Sequence, residues 1–245
     1  AIRSEQLVYR RERLEPNSEY VFEIYAQIED DVRTDSVESL VITAPALGQL
    51  TIELDENDRA SSAVLLWTAD LTFDALSISS EPPIALLEES DEFLMSSSKS
   101  FFAITGMKPA THYQFFLQGV RYDDESEVRS PVKTKELVTA LSKPVFIESL
   151  DSNEVTDEMI RVNWRGVARA DEFEIKLDDG HEDSSRRKFI SATLPRSAMW
   201  KGLPPDVEQR IFLRALSAEA PPSEWAEMKV STRLSAPELA IDIVA

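Results

Sequence analysis

The 245-residue chain has no cysteine, six glycines and two histidines, and its longest uninterrupted apolar stretch is Ala63 to Trp67. Each scarcity excludes something. Without cysteine there is neither a disulfide framework nor a thiol nucleophile. A secreted domain with an adequate core does without disulfides, so this absence assigns no compartment. His112 and His181 lack a Ser/Asp constellation that spacing could support, and they read as turn or surface residues rather than as triad members. Six glycines offer no phosphate-cradling run, which removes nucleotide-binding motifs. No segment approaches the ~20 apolar residues that span a bilayer. The chain opens on Ala1 rather than Met and shows no charged-then-apolar leader, so it reads as an internal piece of a longer protein. Positive charge is scarce too: 26 basic residues stand against 45 acidic ones, a formal net charge of −19. The excess is spread over the whole chain, with 5 basic and 10 acidic residues in 1–46, 7 and 16 in 47–140, and 14 and 19 in 141–245. A phosphate backbone would be repelled everywhere, so nucleic-acid binding is not expected.

What is present repeats. Leu14-Glu-Pro16-Asn-Ser-Glu-Tyr20 leads into the alternating run Val21–Ala26, Met107-Lys-Pro109-Ala-Thr-His-Tyr113 into Gln114–Gly119, and Leu203-Pro-Pro205-Asp-Val-Glu-Gln209 into Arg210–Ala215, at spacings of 93 and 96 residues. Trp67 and Trp164, 97 residues apart, each close another alternating run (Ala63, Leu65, Trp67; Ile160, Val162, Trp164). A period near 95 residues is a whole domain rather than a solenoid unit. Within each copy the periodicity is two. Phe22/Ile24/Ala26, Phe115/Leu117/Gly119 and Ile211/Leu213/Ala215 each share a face, as do Leu50/Ile52/Leu54 and Phe173/Ile175/Leu177. Asp179-Gly180 carries a two-residue hairpin signal. No segment offers a helical stripe over three turns. Hydrophobic residues make up 42% of the chain, enough for compact cores.

Prolines mark the boundaries, at Ala44-Pro45-Ala46, Ser142-Lys143-Pro144 and Ser235-Ala236-Pro237. Proline there fixes φ and donates no ladder hydrogen bond. The reading is a back-half module over 1–46, whole modules over 47–140 and 141–235, and the opening of another module, or a tail, over 236–245. The half copy lacks a Trp-bearing strand, which would leave Tyr20, Phe22 and Ile24 without an opposite sheet. A longer parent chain or a swapped partner strand is expected to supply one.

These residues resemble the fibronectin type III family, whose pattern is a Trp near the end of the second strand and Leu-x-Pro-x-Thr-x-Tyr before the sixth. Trp67, Met107, Pro109, Thr111, Tyr113 and Gly119 match in the middle copy, Leu14, Pro16, Ser18, Tyr20 and Ala26 in the half copy, and Trp164, Leu203, Pro205 and Ala215 in the third, where Gln209 replaces the Tyr. The resemblance implies an all-β chain of tandem immunoglobulin-like β-sandwiches, end to end, with Trp67, Trp164, Tyr20, Tyr113, Leu14, Met107 and Leu203 as core. Tyr20 and Tyr113 would form tyrosine corners, a tie the third copy would lack.

The acidic clusters at 30–31, 55–58, 88–92, 123–125 and 178–179 read as solvated loop tips rather than metal sites, because none has the glycine and terminal glutamate of a calcium loop. Arg186-Arg187-Lys188 is the one basic triplet; Glu182 and Asp183 beside it weaken its field, so polyanion binding is not expected. Arg165-Gly166-Val167 lacks the carboxylate of an integrin-binding tripeptide, and none of Asn17, Asn57, Asn153 and Asn163 begins a glycosylation sequon. Pro222-Ser223-Glu224-Trp225-Ala226 is similar to half of the Trp-Ser-x-Trp-Ser signature of cytokine receptors. Period two puts Arg210, Phe212 and Arg214 on one face, so an Arg stacked on Trp225 is expected as cation–π support. Trp200 reads either as an extra core residue or as an exposed contact.

The functional expectation is a non-catalytic adhesion or spacer segment of an extracellular or cell-surface protein, without cofactor or metal. Its partners would be other proteins of the adhesion or matrix kind, or copies of itself, and the segment would not insert into a membrane. The alternatives are an intracellular, cytoplasmic muscle or cytoskeletal scaffold array, or accessory modules of a receptor phosphatase or other enzyme.

Overall fold

The computed structural model describes residues 10–29, 32–67, 73–88, 93–94, 101–123, 126–147, 155–178 and 186–235. The architecture is all-β and antiparallel, with one helical turn, α1 (Ala85–Glu88). In the first stretch β1 (Glu19–Ile24) pairs with β4 (Val37–Ile42), and the short β2 (Gln27–Glu29) with β3 (Val32–Arg33). The middle stretch contributes β5 (Leu50–Leu54), β6 (Ser62–Trp67), β7 (Ala75–Glu81), β8 (Phe93–Leu94), β9 (Phe101–Thr105), β10 (His112–Asp123), β11 (Ser126–Arg129) and β12 (Lys133–Val138). They form a β5-β6-β9 sheet and a β11-β10-β7-β8 sheet, to which β12 adds on β10. The last stretch holds β13 (Met159–Asn163), β14 (Glu172–Asp178), β15 (Arg187–Ser191), β16 (Ser197–Lys201), β17 (Glu208–Leu216) and β18 (Ala226–Ser231), arranged as β13-β16 and β15-β14-β17-β18.

The last stretch closes as a sandwich because both of its sheets present apolar residues at alternate positions. Ile160, Val162, Trp164, Ala198 and Trp200 come from the β13-β16 layer. Phe173, Ile175, Leu177, Ile211, Leu213 and Ala215 come from the other, and all are buried in one cluster. Trp164 meets Phe173 edge-on at 5.7 Å. In the middle stretch Trp67, Met107, Tyr113, Phe115 and Leu117 are buried. Gly119 ends the β10 alternation because a Cβ there would come within 3.1 Å of the Phe73 ring. Leu203 is buried in the last stretch, but Leu14 and Tyr20, expected among the core, are only half-buried. The reason is that the β1-β4 hairpin has no second layer among the described residues. Ile24 and Val37, neighbours on its inner face, are 62% and 68% exposed.

A set of hydrogen bonds recurs three times. After Pro16, Pro109 and Pro205 the chain turns through Asn17, Ala110 and Asp206, with φ of 54°, 47° and 57°. Their N–H groups donate to the carbonyls of Ala44, Ala140 and Arg233 at 3.1, 2.9 and 3.2 Å. Beside each turn a threonine hydroxyl (Thr43, Thr139, Thr232) donates to a carbonyl (Glu15, Lys108, Pro204) at 2.6 Å. The same hydroxyls accept the N–H of Ser18, Thr111 and Val207 at 2.8, 2.9 and 3.1 Å. At the far end of the long strand a second hydroxyl (Thr34, Ser130, Ser223) accepts the N–H of the small residue Ala26, Gly119 or Ala215 at 2.8, 2.9 and 2.9 Å. The N–H of each of those hydroxyl residues returns to the same small residue's carbonyl. The half copy carries the whole set, so residues 10–46 are built like the corresponding ends of the other two.

The chain divides into two compact units, Ala1–Glu53 with Val64–Ile104 and Tyr113–Leu137, and Leu54–Ala63 with Thr105–His112 and Val138–Ala245. The loops 54–63 and 105–112 thus belong with the last sandwich. The two-residue hairpin expected at Asp179-Gly180 falls outside the described residues.

Candidate functional site

The outer face of the β15-β14-β17-β18 sheet gathers most of the last stretch's unusual side chains. Cross-strand register sets Lys176 opposite Phe212 and Arg187, Glu174 opposite Arg214 and Phe189, and Phe212 opposite Glu227. The result is one continuous stack. The Arg210 guanidinium lies 5.3 Å over Phe212, the Lys176 ammonium 5.0 Å from both Phe212 and Trp225, and the Arg214 guanidinium 4.5 Å over Trp225. Phe212 and Trp225 meet edge to face at 6.4 Å. Arg214 then grips Glu174 with Nε at 2.7 Å and Nη2 at 2.6 Å, Glu174 also pairs with Arg187, and Arg187 lies 5.0 Å over Phe189. Of the two arginines expected near Trp225, Arg214 stacks on it, whereas Arg210 stacks on Phe212 and pairs with Glu227 at 3.0 Å. That hydrogen bond raises the Arg210 pKa further above its ordinary value.

Electrostatically the face neutralises itself. Glu174 is only 1% exposed, and two guanidinium groups meet its two oxygens. A buried carboxylate without such partners would be costly. Alternating cations and ring faces each contribute ~0.5–2 kcal/mol. The stack clamps Trp225, just before β18, to the centre of the sheet and leaves Phe189, on the edge strand β15, half exposed.

The basic triplet does not form a patch. Arg187 is drawn into the stack, while Lys188 points to the opposite side, its ammonium donating to the Met199 carbonyl and lying 5.0 Å over the Trp200 ring. Burial lowers the Lys188 pKa. Trp200, one of whose readings was an exposed contact, is a core residue at 5% exposure. Register with β13 places it beside Ile160, facing inward, and its ring N–H donates to the Arg186 carbonyl at 3.4 Å.

The third copy lacks the tyrosine tie. Tyr20 in the half copy accepts the Glu15 N–H on its hydroxyl at 2.8 Å. Gln209 occupies the matching position in a fully buried site, and its Oε1 has no hydrogen-bond partner among the described residues. Asp58 is held by hydrogen bonds from Ser61 and Ser62, those from Ser61 foremost in lowering its pKa, so this carboxylate serves its own turn. Among the described residues no group of three or more His, Cys, Asp or Glu is placed to hold a metal ion. His112 begins β10, and His181 lies outside the described residues, as do 30–31, 89–92, 124–125 and 179 of the acidic clusters. No described helix is long and apolar enough to cross a membrane.

One surface lies outside the residues singled out above. On the β5-β6-β9 sheet the outward positions include Val64, Leu66, Phe101 and Ala103, with Leu66 36% and Phe101 55% exposed. Its signal was available. In Ala63-Val-Leu-Leu-Trp67 both phases of the alternation are apolar, whereas a half-buried strand needs only one.

No family model matches the chain, and no curated protein matches it. Solved structures to which it is similar include a two-domain fibronectin type III segment of chicken tenascin. That segment is 16% identical, covers 77% of this chain and 99% of its own, and has a TM-score of 0.40. Another is the FN1–FN3 domains of chicken CNTN1, 15% identical over 90% of this chain and 79% of that one, with a TM-score of 0.33. A third is the fn3 domain of the human collagen α-1(XX) chain, 16% identical over 41% of this chain and 92% of that one, with a TM-score of 0.32.

Proposed function

We propose that the chain is a segment of a fibronectin type III array, working as a non-catalytic spacer and protein-contact element of an extracellular or cell-surface protein of the adhesion or matrix kind. The observation that carries this is the threefold recurrence of the proline turn and its two hydroxyl latches at a spacing near 95 residues; on this reading whole modules span 47–140 and 141–235 and the closing half of another precedes them. A chain of such modules sets distance, and its exposed sheet faces meet partners. The apolar outer face around Leu66 and Phe101 is the proposed contact, because solvent-facing apolar clusters of this kind mark protein-binding surfaces.

Two measurements test this. Pulled from its ends, the chain is expected to unfold in separate events, each of the two whole modules releasing roughly 300 Å of contour. A single event releasing everything at once overturns the array. Immobilised chain is expected to retain a protein from a cell-surface or matrix extract, and the double variant Leu66→Asp/Phe101→Asp to lose it while unfolding at an unchanged temperature. Equal retention by the variant overturns the contact face.

A further inference from the structure

Three copies of the proline turn place a residue at positive φ, and two of them use Asn17 and Asp206. Those are the side chains that tolerate the left-handed region; alanine does not share the preference. Ala110 departs from the pattern, and its surroundings supply the reason. It is 7% exposed and belongs to the apolar cluster that contains Leu141, Phe146 and the core of the last sandwich. A carboxylate or amide at that position would enter the cluster without a partner. Its backbone is held on both sides. The Ala110 N–H donates to the Ala140 carbonyl at 2.9 Å, and Arg169 Nη1 donates to the Ala110 carbonyl. Arg169 takes a positive φ of its own, 63°. The chain that follows is fixed as well. Leu141 is fully buried, and its N–H donates to the Pro221 carbonyl at 3.1 Å. All of these groups lie within one compact unit.

We propose that residues 139–143 form a stapled joint within this unit, with the Ala110 methyl and the Leu141 side chain as the seated plug and Arg169 as the latch that holds the turn on it. The joint deepens the spacing role proposed above and rests on that reading for its use. The strained choice of alanine is retained because seating the turn requires a small apolar side chain.

Amide hydrogen exchange on the full 245-residue chain tests the joint without any partner. The Leu141 amide is expected to exchange at least ~100-fold more slowly than in an unstructured peptide. Ala110→Asn gives the turn a residue suited to its φ but cannot seat. It is expected to speed Leu141 exchange by roughly ten-fold while leaving Leu213 and Ile175 protected. Arg169→Gln, at an exposed side chain, is expected to do the same. Exchange of Leu141 at the peptide rate in the unaltered chain overturns the proposal, and so does unchanged protection in both variants. Should Ala110→Asn also deprotect the core, Arg169→Gln alone decides. Equal partner retention by the Leu66→Asp/Phe101→Asp variant would refute the contact face and leave this result standing.

Discussion

At the scale of single residues the third copy invites a comparison. Trp164 and Gln209 are both buried in the last sandwich, with opposite consequences. Trp164 fills the space between the layers against Phe173, so Trp164→Ala is expected to cost ~3–5 kcal/mol in denaturant unfolding of that module. Gln209 buries a carbonyl oxygen that accepts no hydrogen bond among the described residues. Gln209→Met keeps the volume and removes the unpartnered group, so it is expected to raise the stability of the same module by ~1–2 kcal/mol. A loss on that substitution would mean that the amide makes a hydrogen bond worth keeping. The sequence showed that a ring was missing at 209 but not that the amide would go inside. Trp200 was likewise undecided, because its direction depends on which residue of β13 it meets.

Individual strands and turns were the most legible, and the limits of legibility have a physical cause. Alternation in β10, β14 and β17 is written in consecutive residues, and the core face follows from it. The hydroxyl latches were not legible. Thr43 and Thr232 work on carbonyls 28 residues earlier in the chain and Thr139 on one 31 residues earlier, and only the closed turn brings donor and acceptor together. The stacked face lies between these cases. Period two put Arg210, Phe212 and Arg214 together, but Lys176 and Glu174 entered through the β14–β17 register. Its members are not equivalent. Arg214→Ala leaves the buried Glu174 with Arg187 alone and strips the Trp225 face, so a loss of ~3–5 kcal/mol is expected. Arg210→Ala removes an exposed pair at the rim and is expected to cost far less. Equal losses in thermal unfolding would contradict the ordering. On the edge strand β15, Lys188 points inward, a device that hinders strand addition by another chain.

For the molecule as a whole, charge sets the conditions. A net charge of −19 is distributed over every segment, so the folded modules repel themselves and each other. Raising sodium chloride from ~0.01 M to ~0.5 M shortens the Debye length from about 30 Å to a few ångströms. The melting temperature is therefore expected to rise over that range. The buried Glu174 pairs are screened much less than the surface and do not reverse the sign. A fall in melting temperature would show that surface ion pairs outweigh the general repulsion.

The amino-acid sequence by itself determined the class of fold, the repeat near 95 residues, the proline turns and the inward face of each long strand. All of these are carried by residues adjacent or alternating in the chain. Only the tertiary structure decided that Trp200 is core, that Lys188 and Arg187 part company, that Ala110 is seated among the apolar side chains of the last sandwich, and that the hairpin before residue 46 is left half covered. Those outcomes depend on register and closure, which bring together groups tens of residues apart and whose local chemistry is compatible with more than one place.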